Sequence, residues 1–515
     1  MNERVLLLLL MLVWPFAGPA AEREAAPATP DLLSAHLAQV RELAPSSKQP
    51  SADAALERLK AEIAAKRQAW EGKADQAARE PELLAGLSSA VREKASAVAG
   101  DEARTKAVLK AGVDLELLLA LTAFRSPEAQ AAHEKWRAVL RRFDQAAYLE
   151  DLVTQYRAFV RELDTVVGPQ THKEMPEMTF PYPSALALKG QIVDAEAELA
   201  WIDYQQMLRR KLNETARAFF EVQYASRAVE IVRESHALFT RMAESAEAQL
   251  RAGQGDQAYL LATQSEVAML ETKVTTLERQ RVKAMAQVNS LLGLPVDAEW
   301  GAVAPRDLAD LPWTLEEALK IAGAESQDLQ MARQDVTLME LMVRMAETEV
   351  LPRGSVGYSQ QALSAGADAG PTRSMMASFP EKQAVDAGRA GFGANAAYLD
   401  ELRVRVQEAR RKLAAMQAQT EFMVKDAHFQ LDAARREQRT LSEAVVPKAK
   451  LAHETLQKRY AAGAAPLRDY LETGKSYLDA RLNLEGARRE QNEMTLELLG
   501  AAGRGAAAAL GVAKE

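Results

Sequence analysis

The chain has no cysteine. That excludes a disulfide scaffold, a thiolate zinc site and a thiol nucleophile, and it leaves no residue for acylation of a lipoprotein type. Aromatic residues make up only 6% of 515 residues, and glycine and proline are sparse at 26 and 20. With abundant Ala, Leu, Glu, Gln and Arg, this composition points to long helices and coiled coil. Positive charge is not in excess: 64 bases face 72 acids, for a net charge of −8. An extended nucleic-acid surface is therefore excluded. Past residue 21 no apolar run reaches ~18 residues, so no helix is long and apolar enough to span a bilayer. No nucleophile elbow, phosphate loop or His-Glu-x-x-His pattern occurs. The chain is read as a non-enzyme with no cofactor, metal or catalytic residue.

The N-terminus reads as an export signal over residues 1–21. Arg4 supplies the positive end, Val5 to Trp14 the apolar core, and Gly18-Pro19-Ala20-Ala21 the small residues for cleavage. Residues 22–113 form an N-terminal helical extension. It opens on a Pro-containing linker (Pro27, Pro30, Pro45, Pro50) and continues as charged helix with Leu56, Leu59 and Ile63 as its apolar stripe. Because the repeated part of the chain starts only at Asp114, the extension is expected to be dispensable for assembly.

From Asp114 onward the chain repeats itself. Asp114-Leu115-Glu116 returns as Thr314-Leu315-Glu316, an offset of 200 residues. The offset also pairs Ser126 with Ser326, Gln130 with Gln330 and Ala132 with Ala332. Further on it becomes 210, bringing Arg251-Ala252-Gly253 onto Ala461-Ala462-Gly463. The extra residues enter between about 352 and 394, where Gly354, Gly357, Gly366, Gly370, Pro371 and Pro380 mark non-helical chain. The units are 114–300 and 314–503, with a linker at 301–313 and a tail at 504–515.

Both units follow one plan. A helix comes first (114–150; 314–350). Candidate strands follow (about 152–183; about 353–395). A helical stretch of about 66 residues comes next (185–250; 395–460), reaching ~100 Å at 1.5 Å per residue. A glycine turn (about 250–257; about 460–468) leads into a returning helix (256–293; 466–503). In the first returning helix Leu260, Val267 and Val274 form one heptad seam, with Thr263, Leu270, Leu277 and Ala284 as the second. In the second, Tyr470, Tyr477 and Leu484 pair with Thr473, Ala480 and Ala487. Each pair of helices is an antiparallel hairpin. Among the strands, Leu152 to Val160 alternate, and Met178, Phe180 and Tyr182 share a face. Two such hairpins of strand cannot bury a core of their own, which implies oligomerisation.

These features together resemble the TolC-type outer-membrane efflux family, over roughly residues 114–503. Leu115 to Trp136 is similar to the family's opening helix, with Ser126-Pro127-Glu128 in place of Asn-Pro-Glu, and Thr314 to Ala332 is its second copy. Val167-Gly168-Pro169-Gln170 and Phe180-Pro181-Tyr182-Pro183 resemble a strand pair of a metal-efflux-like subgroup. Arg251 to Gly255 and Arg459 to Gly463 look like the two hairpin tips, and Leu291-Leu292-Gly293-Leu294-Pro295 like the end of the first unit. The resemblance implies a mainly α fold of duplicated coiled-coil hairpins, an α-barrel, with short β-strands that form a β-barrel in a homotrimer. It implies an exported protein in outer-membrane lipid with a periplasmic extension. The implied work is passive conduction of drugs or metal ions from an inner-membrane pump and a periplasmic adaptor. The other reading is a non-conducting periplasmic scaffold or adaptor-like protein derived from such a channel. The sequence departs from the family in its extension, in the Gly/Ala/Ser-rich insert 361–390, and at Tyr259, where the second tip keeps Asp469.

Adaptor docking is expected at the tips, through Arg251, Gly253, Tyr259, Gly463, Leu467 and Asp469. The glycines sit where a positive φ is cheap. Glu244, Glu247, Asp256, Glu454 and Asp469 lie near the tips, and Asp256 and Asp469 are the choices for an entrance charge. His172-x-x-Met175-x-x-Met178 carries soft ligands for Cu(I) or Ag(I). Residues three apart on a strand face opposite sides, so these are read as apolar side chains and a loop histidine. His36, His133, His236, His428 and His453 are read as helix-surface residues. Trp136, Trp201 and Trp313 are read as packing where strand or linker meets helix.

Overall fold

Helices make up nearly all of the described chain. The computed structural model describes residues 52–147, 178–180, 183–253, 256–350, 354–360, 373–378 and 392–510. The export signal, the strand at 152–160, His36, His172, Met175 and most of the 361–390 insert lie outside the described residues. The chain divides into two units, Met1–Glu62 and Ile63–Glu515. Of the first, the described part is the start of helix α1 (Ala52–Arg79). The second unit holds everything that follows.

Helices α2 (Ser89–Ala99) and α3 (Glu102–Ala111) complete the extension. The first repeat opens with α4 (Leu115–Arg125), α5 (Pro127–Leu140) and α6 (Arg142–Ala147). Strand β1 (Met178–Phe180) precedes α7 (Pro183–Arg251) and α8 (Gln257–Leu291). The second repeat runs through α9 (Leu315–Glu325), α10 (Gln327–Val350), β2 (Gly354–Gln360) and β3 (Arg373–Ser378). It ends with α11 (Phe392–Thr440), α12 (Val446–Ala461) and α13 (Leu467–Ala501).

The duplication is visible bond by bond. Asp114 caps α4 by accepting from the Leu117 amide at 2.7 Å. Thr314, 200 residues on, caps α9 in a capping box with Glu317. The single opening helix expected in each repeat is broken, into α4, α5 and α6 in the first and into α9 and α10 in the second. Both break at the equivalent serine: Ser126 (φ −53, ψ 119) and Ser326 (φ −61, ψ 117) are extended. The amides of Ser126 and Ser326 donate to Thr122 O (2.9 Å) and Ala322 O (3.0 Å). The Gln130 and Gln330 side chains turn back onto Phe124 O and Ala324 O. The returning helices end alike too: the amides of Leu294 and Arg504 reach back to Asn289 O and Leu499 O, at 2.9 and 2.8 Å. Between them Gly293 (φ 62) and Gly503 (φ 85) take the left-handed conformation, as in a Schellman end. A Cβ on Gly503 would stand 2.4 Å from Glu325 O, and one on Gly293 2.9 Å from Pro127 Cγ. Each returning helix therefore ends against the break in its own repeat's opening helix.

α7, at 69 residues, is the pillar. Towards its C-terminal end it packs on α8 and α13, and α13 packs on α12; nearer its start it packs on α5 and α10, and α10 on α11. The lower core joins Val232, Phe239 and Met242 of α7 with Leu270 and Leu277 of α8 and Tyr470 and Leu478 of α13. Thr263, Leu270, Leu277 and Ala284 are buried, so that heptad seam is the one turned inward. In α13 the buried residues Tyr470, Gly474, Leu478 and Leu482 step by four. The heptad reading misses Gly474 and Leu478, because α13 is covered by α7, α11 and α12 rather than by one partner.

The second long helical stretch is not continuous either. A π turn at Leu441–Val445 separates α11 from α12, and the Val446 amide donates to Leu441 O, five residues back. Pro447 follows, has no N–H to give and crowds the preceding turn; widening the helix relieves that conflict.

The three strands form one antiparallel sheet in the order β1-β2-β3. Met178 pairs with Val356 and Phe180 with Gly354, so the sheet joins the two repeats. Among the described residues no helix is long and apolar enough to cross a membrane.

Residues 63–113 belong to the same unit as the repeats. α2 lies along α4, and Leu84, Leu87, Ala95 and Leu109 are buried. Arg125 Nη1 donates to Ala99 O at 2.7 Å. Trp136 is fully buried, edge-on to Trp70 at 6.1 Å and against Trp201 at 4.7 Å. Lys73 lies over the rings of both Trp70 and Trp201. The sequence reading sets 22–113 apart as one extension; its second half supplies core to the first repeat.

Candidate functional site at the hairpin turns

Two chain reversals project from the bundle, and each is built on one glycine. Gly253 (φ 72) follows α7 and Gly463 (φ 70) follows α12. Their amides donate to Leu250 O and Tyr460 O at 3.0 and 2.9 Å. Nothing lies within 4 Å of a Cβ built on either. The left-handed conformation demands glycine, and the empty surroundings leave the turn surface open. Arg251, Ala252, Ala462 and Ala464 beside the turns are exposed. The second tip thus presents mostly backbone and methyl groups.

The tip residues proposed from sequence divide on inspection. Arg251 is exposed and pairs with Glu247 one turn back, at 2.5 Å. Asp469 is exposed in the first turn of α13. Leu467 is not free for a partner: it is buried in the lower core. Tyr259 is half-buried against the same core. Burial raises its phenol to about 12, with Asp469 and Glu472 adding to the rise and Arg468 opposing it, so it acts as a neutral hydroxyl. Asp256 is the N-cap of α8 and accepts from the Ala258 amide at 2.9 Å. Its carboxylate is partly committed to the helix end.

Between the two hairpins lies a groove of about 620 Å³. Phe239, Tyr259 and Leu471 form its apolar part; Asp256, Glu266, Arg468, Glu472 and Lys475 form its charged rim. Lys475 Nζ meets Glu266 Oε2 at 2.9 Å across it. Nearby, the Tyr460 hydroxyl lies 3.2 Å from Ser245 Oγ and accepts from Gln249 Nε2 at 3.0 Å, tying the second tip to α7. Higher up, Arg481–Glu234 and Arg489–Glu221 tie α13 to α7 at 2.7 and 2.9 Å. The sequence reading includes Tyr460 only as part of the tip stretch and names Asp256 alone among the groove charges. Three tyrosines (460, 470 and 477) in a chain poor in aromatics were the available signal.

The histidines do not all lie on the surface. His133 stands in the tryptophan cluster and touches Ala74 O at 3.0 Å, and His453 is buried. The tryptophans pack, but Trp136 and Trp201 do so between helices rather than where strand or linker meets helix, and only Trp313, under Arg504, lies in the linker.

No protein-family model matches the chain, and no curated protein does. Solved structures do. The outer-membrane channel OprN superposes with a TM-score of 0.57 at 16% identity, covering 76% of this chain and 90% of that one. The outer-membrane protein VceC of Vibrio cholerae gives 0.55 at 15%, covering 76% and 96%. The CmeC outer-membrane channel of Campylobacter jejuni gives 0.56 at 11%, covering 76% and 85%. The chain therefore has the fold of the TolC-type outer-membrane channels, with their long helical hairpins.

Proposed function

We propose that the chain is the outer-membrane channel of a tripartite efflux system. Three copies close a β-barrel in the outer membrane and an α-helical tunnel below it. Drugs or metal ions pass through without chemistry, driven by an inner-membrane pump and handed over by a periplasmic adaptor. The observation that carries this reading is the shared fold, which spans most of this chain and of each channel it resembles. A second feature supports the assembly. One copy leaves large apolar side chains on two separate helical faces: Leu261, Met269 and Val282 on α8, and Val404, Phe422 and Phe429 on α11. All six are more than half exposed. Two different faces on one chain suit a head-to-tail ring, in which one copy's α8 covers its neighbour's α11.

The adaptor docks at the exposed tips, with Arg251 and Asp469 beside the glycine turns and Tyr259 as a hydroxyl in the groove. The test has two parts. Mass measurement in mild detergent should give a trimer, and the purified protein should conduct in a planar bilayer. A stable monomer overturns the assembly. A trimer that washes out of the outer membrane and never conducts identifies a periplasmic scaffold instead. For the tips, the double variant Gly253→Pro with Gly463→Pro removes two amides and sets φ near −65° where about +70° is needed. It should remain a trimer and lose adaptor cross-linking and export. Normal cross-linking in that variant would move the docking site elsewhere.

A further inference from the structure

His453 of α12 is buried and stacked between two tyrosines of α13. Its ring lies 5.1 Å from that of Tyr470 at 17° and 5.9 Å from that of Tyr477 at 21°. Gly474 forms the floor of the slot: a Cβ there would stand 3.4 Å from His453 Cε1 and 3.6 Å from Phe239 Cζ of α7. The imidazole is thus a knob in a hole made by residues 470, 474 and 477, where α12, α13 and α7 meet. Its Nδ1 is buried with no hydrogen-bond partner.

The charged groups around the slot do not welcome a proton. On its own helix Glu454 is the one acid that favours the charged ring, and Glu454 is already within 3.8 Å of Lys450. On α13 Arg481 lies over the Tyr477 ring. On α7 Arg241 acts on the Tyr470 phenol. Tyr460 also stacks on Tyr470, at 5.5 Å. The ring itself is faced by two phenols, Tyr470 and Tyr477, and by one carboxylate already shared with a lysine; the two guanidiniums act on the tyrosines.

We propose that His453 makes the second hairpin acid-sensitive: protonation of the buried ring loosens the pairing of α12 with α13 beside the Gly463 turn, while the first hairpin is unaffected. Burial lowers the proton affinity of the ring, with Glu454 partly opposing. An opened hairpin returns the ring to water and to the ordinary histidine value, so the open form binds more protons. Pairing stability is complete above the ordinary histidine value and is lost as pH falls below it towards the lowered one. The first hairpin carries no counterpart, since the residue 210 positions earlier is Ala243. Hairpin packing alone carries this inference, whether or not the protein conducts.

Hydrogen exchange on the full chain tests it, at about pH 7.5 and about pH 5.5, on either side of the ordinary histidine value. Rates are corrected for the intrinsic pH dependence of exchange and referred to residues 267–290 of α8, a stretch of the first hairpin without a histidine. Protection over residues 446–480 should fall up to about tenfold relative to that reference for each pH unit below the histidine value. His453→Phe keeps an aromatic knob without a proton site and should abolish the fall. His453→Leu, a heptad-compatible residue, serves if the phenylalanine overpacks the slot. A flat profile in the unmodified chain overturns the proposal, and so does an undiminished fall in the variant that folds.

Discussion

Helices α4 and α9 occupy the same place in the two repeats, and they are built differently. α4 reads Leu115-Glu-Leu-Leu-Leu-Ala-Leu, and Leu115 through Ala123 are buried apart from Glu116. α9 reads Leu315-Glu-Glu-Ala-Leu-Lys-Ile, and only Ala318 and Ala322 are buried. Each packs on the long helix of its repeat, α7 or α11. Only α4 is also covered from outside, by α2 of the extension. On the α9 side, Leu319, Ala322, Leu329 and Thr420 line an open groove of about 480 Å³. A helix apolar all round needs cover all round. The difference teaches that residues 63–113 and the first repeat are one packing unit.

Breaking that unit should have the largest effect. Removal of residues 63–113 uncovers Leu117, Leu118 and Leu119 together with Trp136. The shortened chain is expected to be exported and then lost to proteolysis rather than assembled; limited proteolysis and detergent-gel mass measure this. Normal assembly would show that α2 and α1 merely decorate the repeats. Next comes a matched pair 200 residues apart. Leu119→Ala, fully buried, should cost about 2–5 kcal/mol, while Leu319→Ala, half-buried, should cost roughly 1 kcal/mol. Denaturant midpoints compare them, and equal losses would mean that the α9 groove is filled in the assembled protein.

The glycines give a second matched set. Gly503→Ala forces a Cβ onto Glu325 O at a positive φ and should lose about 3 kcal/mol or more. Gly463→Ala shares the backbone conformation but meets only solvent, and should lose about 1–2 kcal/mol, confined to the turn. Thermal midpoints of the two variants separate clash from conformation. The smallest effect belongs to Tyr460→Phe, which removes the hydroxyl bonded to Ser245 and Gln249 and should weaken the tie between the tips by about 1 kcal/mol. Exchange rates of the 455–465 amides measure it.

Local periodicity carried much of the architecture. The offsets of 200 and 210, the α7 and α8 limits, the two heptad seams of α8 and the positive-φ glycines could all be read from the residues alone, while burial decided which seam turns inward. The serine breaks could not, because Ser-Pro and Ser-Gln are also ordinary helix openings and nothing local says that a helix has just ended. At the tips, Asp256 looked like a free charge although an Asp directly before a helix is a cap. Leu467 looked exposed because it follows Pro466 at a turn, yet the packing of α7 on α13 covers it.

The sequence by itself therefore determined what depends on neighbours along the chain: helix, turn, seam and duplication, each set by periods of 3.5 to 3.6 residues or by a single φ. Only the tertiary structure decided what depends on contacts between distant segments. Trp70 meets Trp136 across 66 positions, and His453 is buried because residues 470, 474 and 477 leave a slot of its size. A lone histidine on a charged helix and a charged helix in an extension carry no local mark of burial. Whether they face water or core is fixed by the shape of the partner surface, and that surface exists only once the chain has folded.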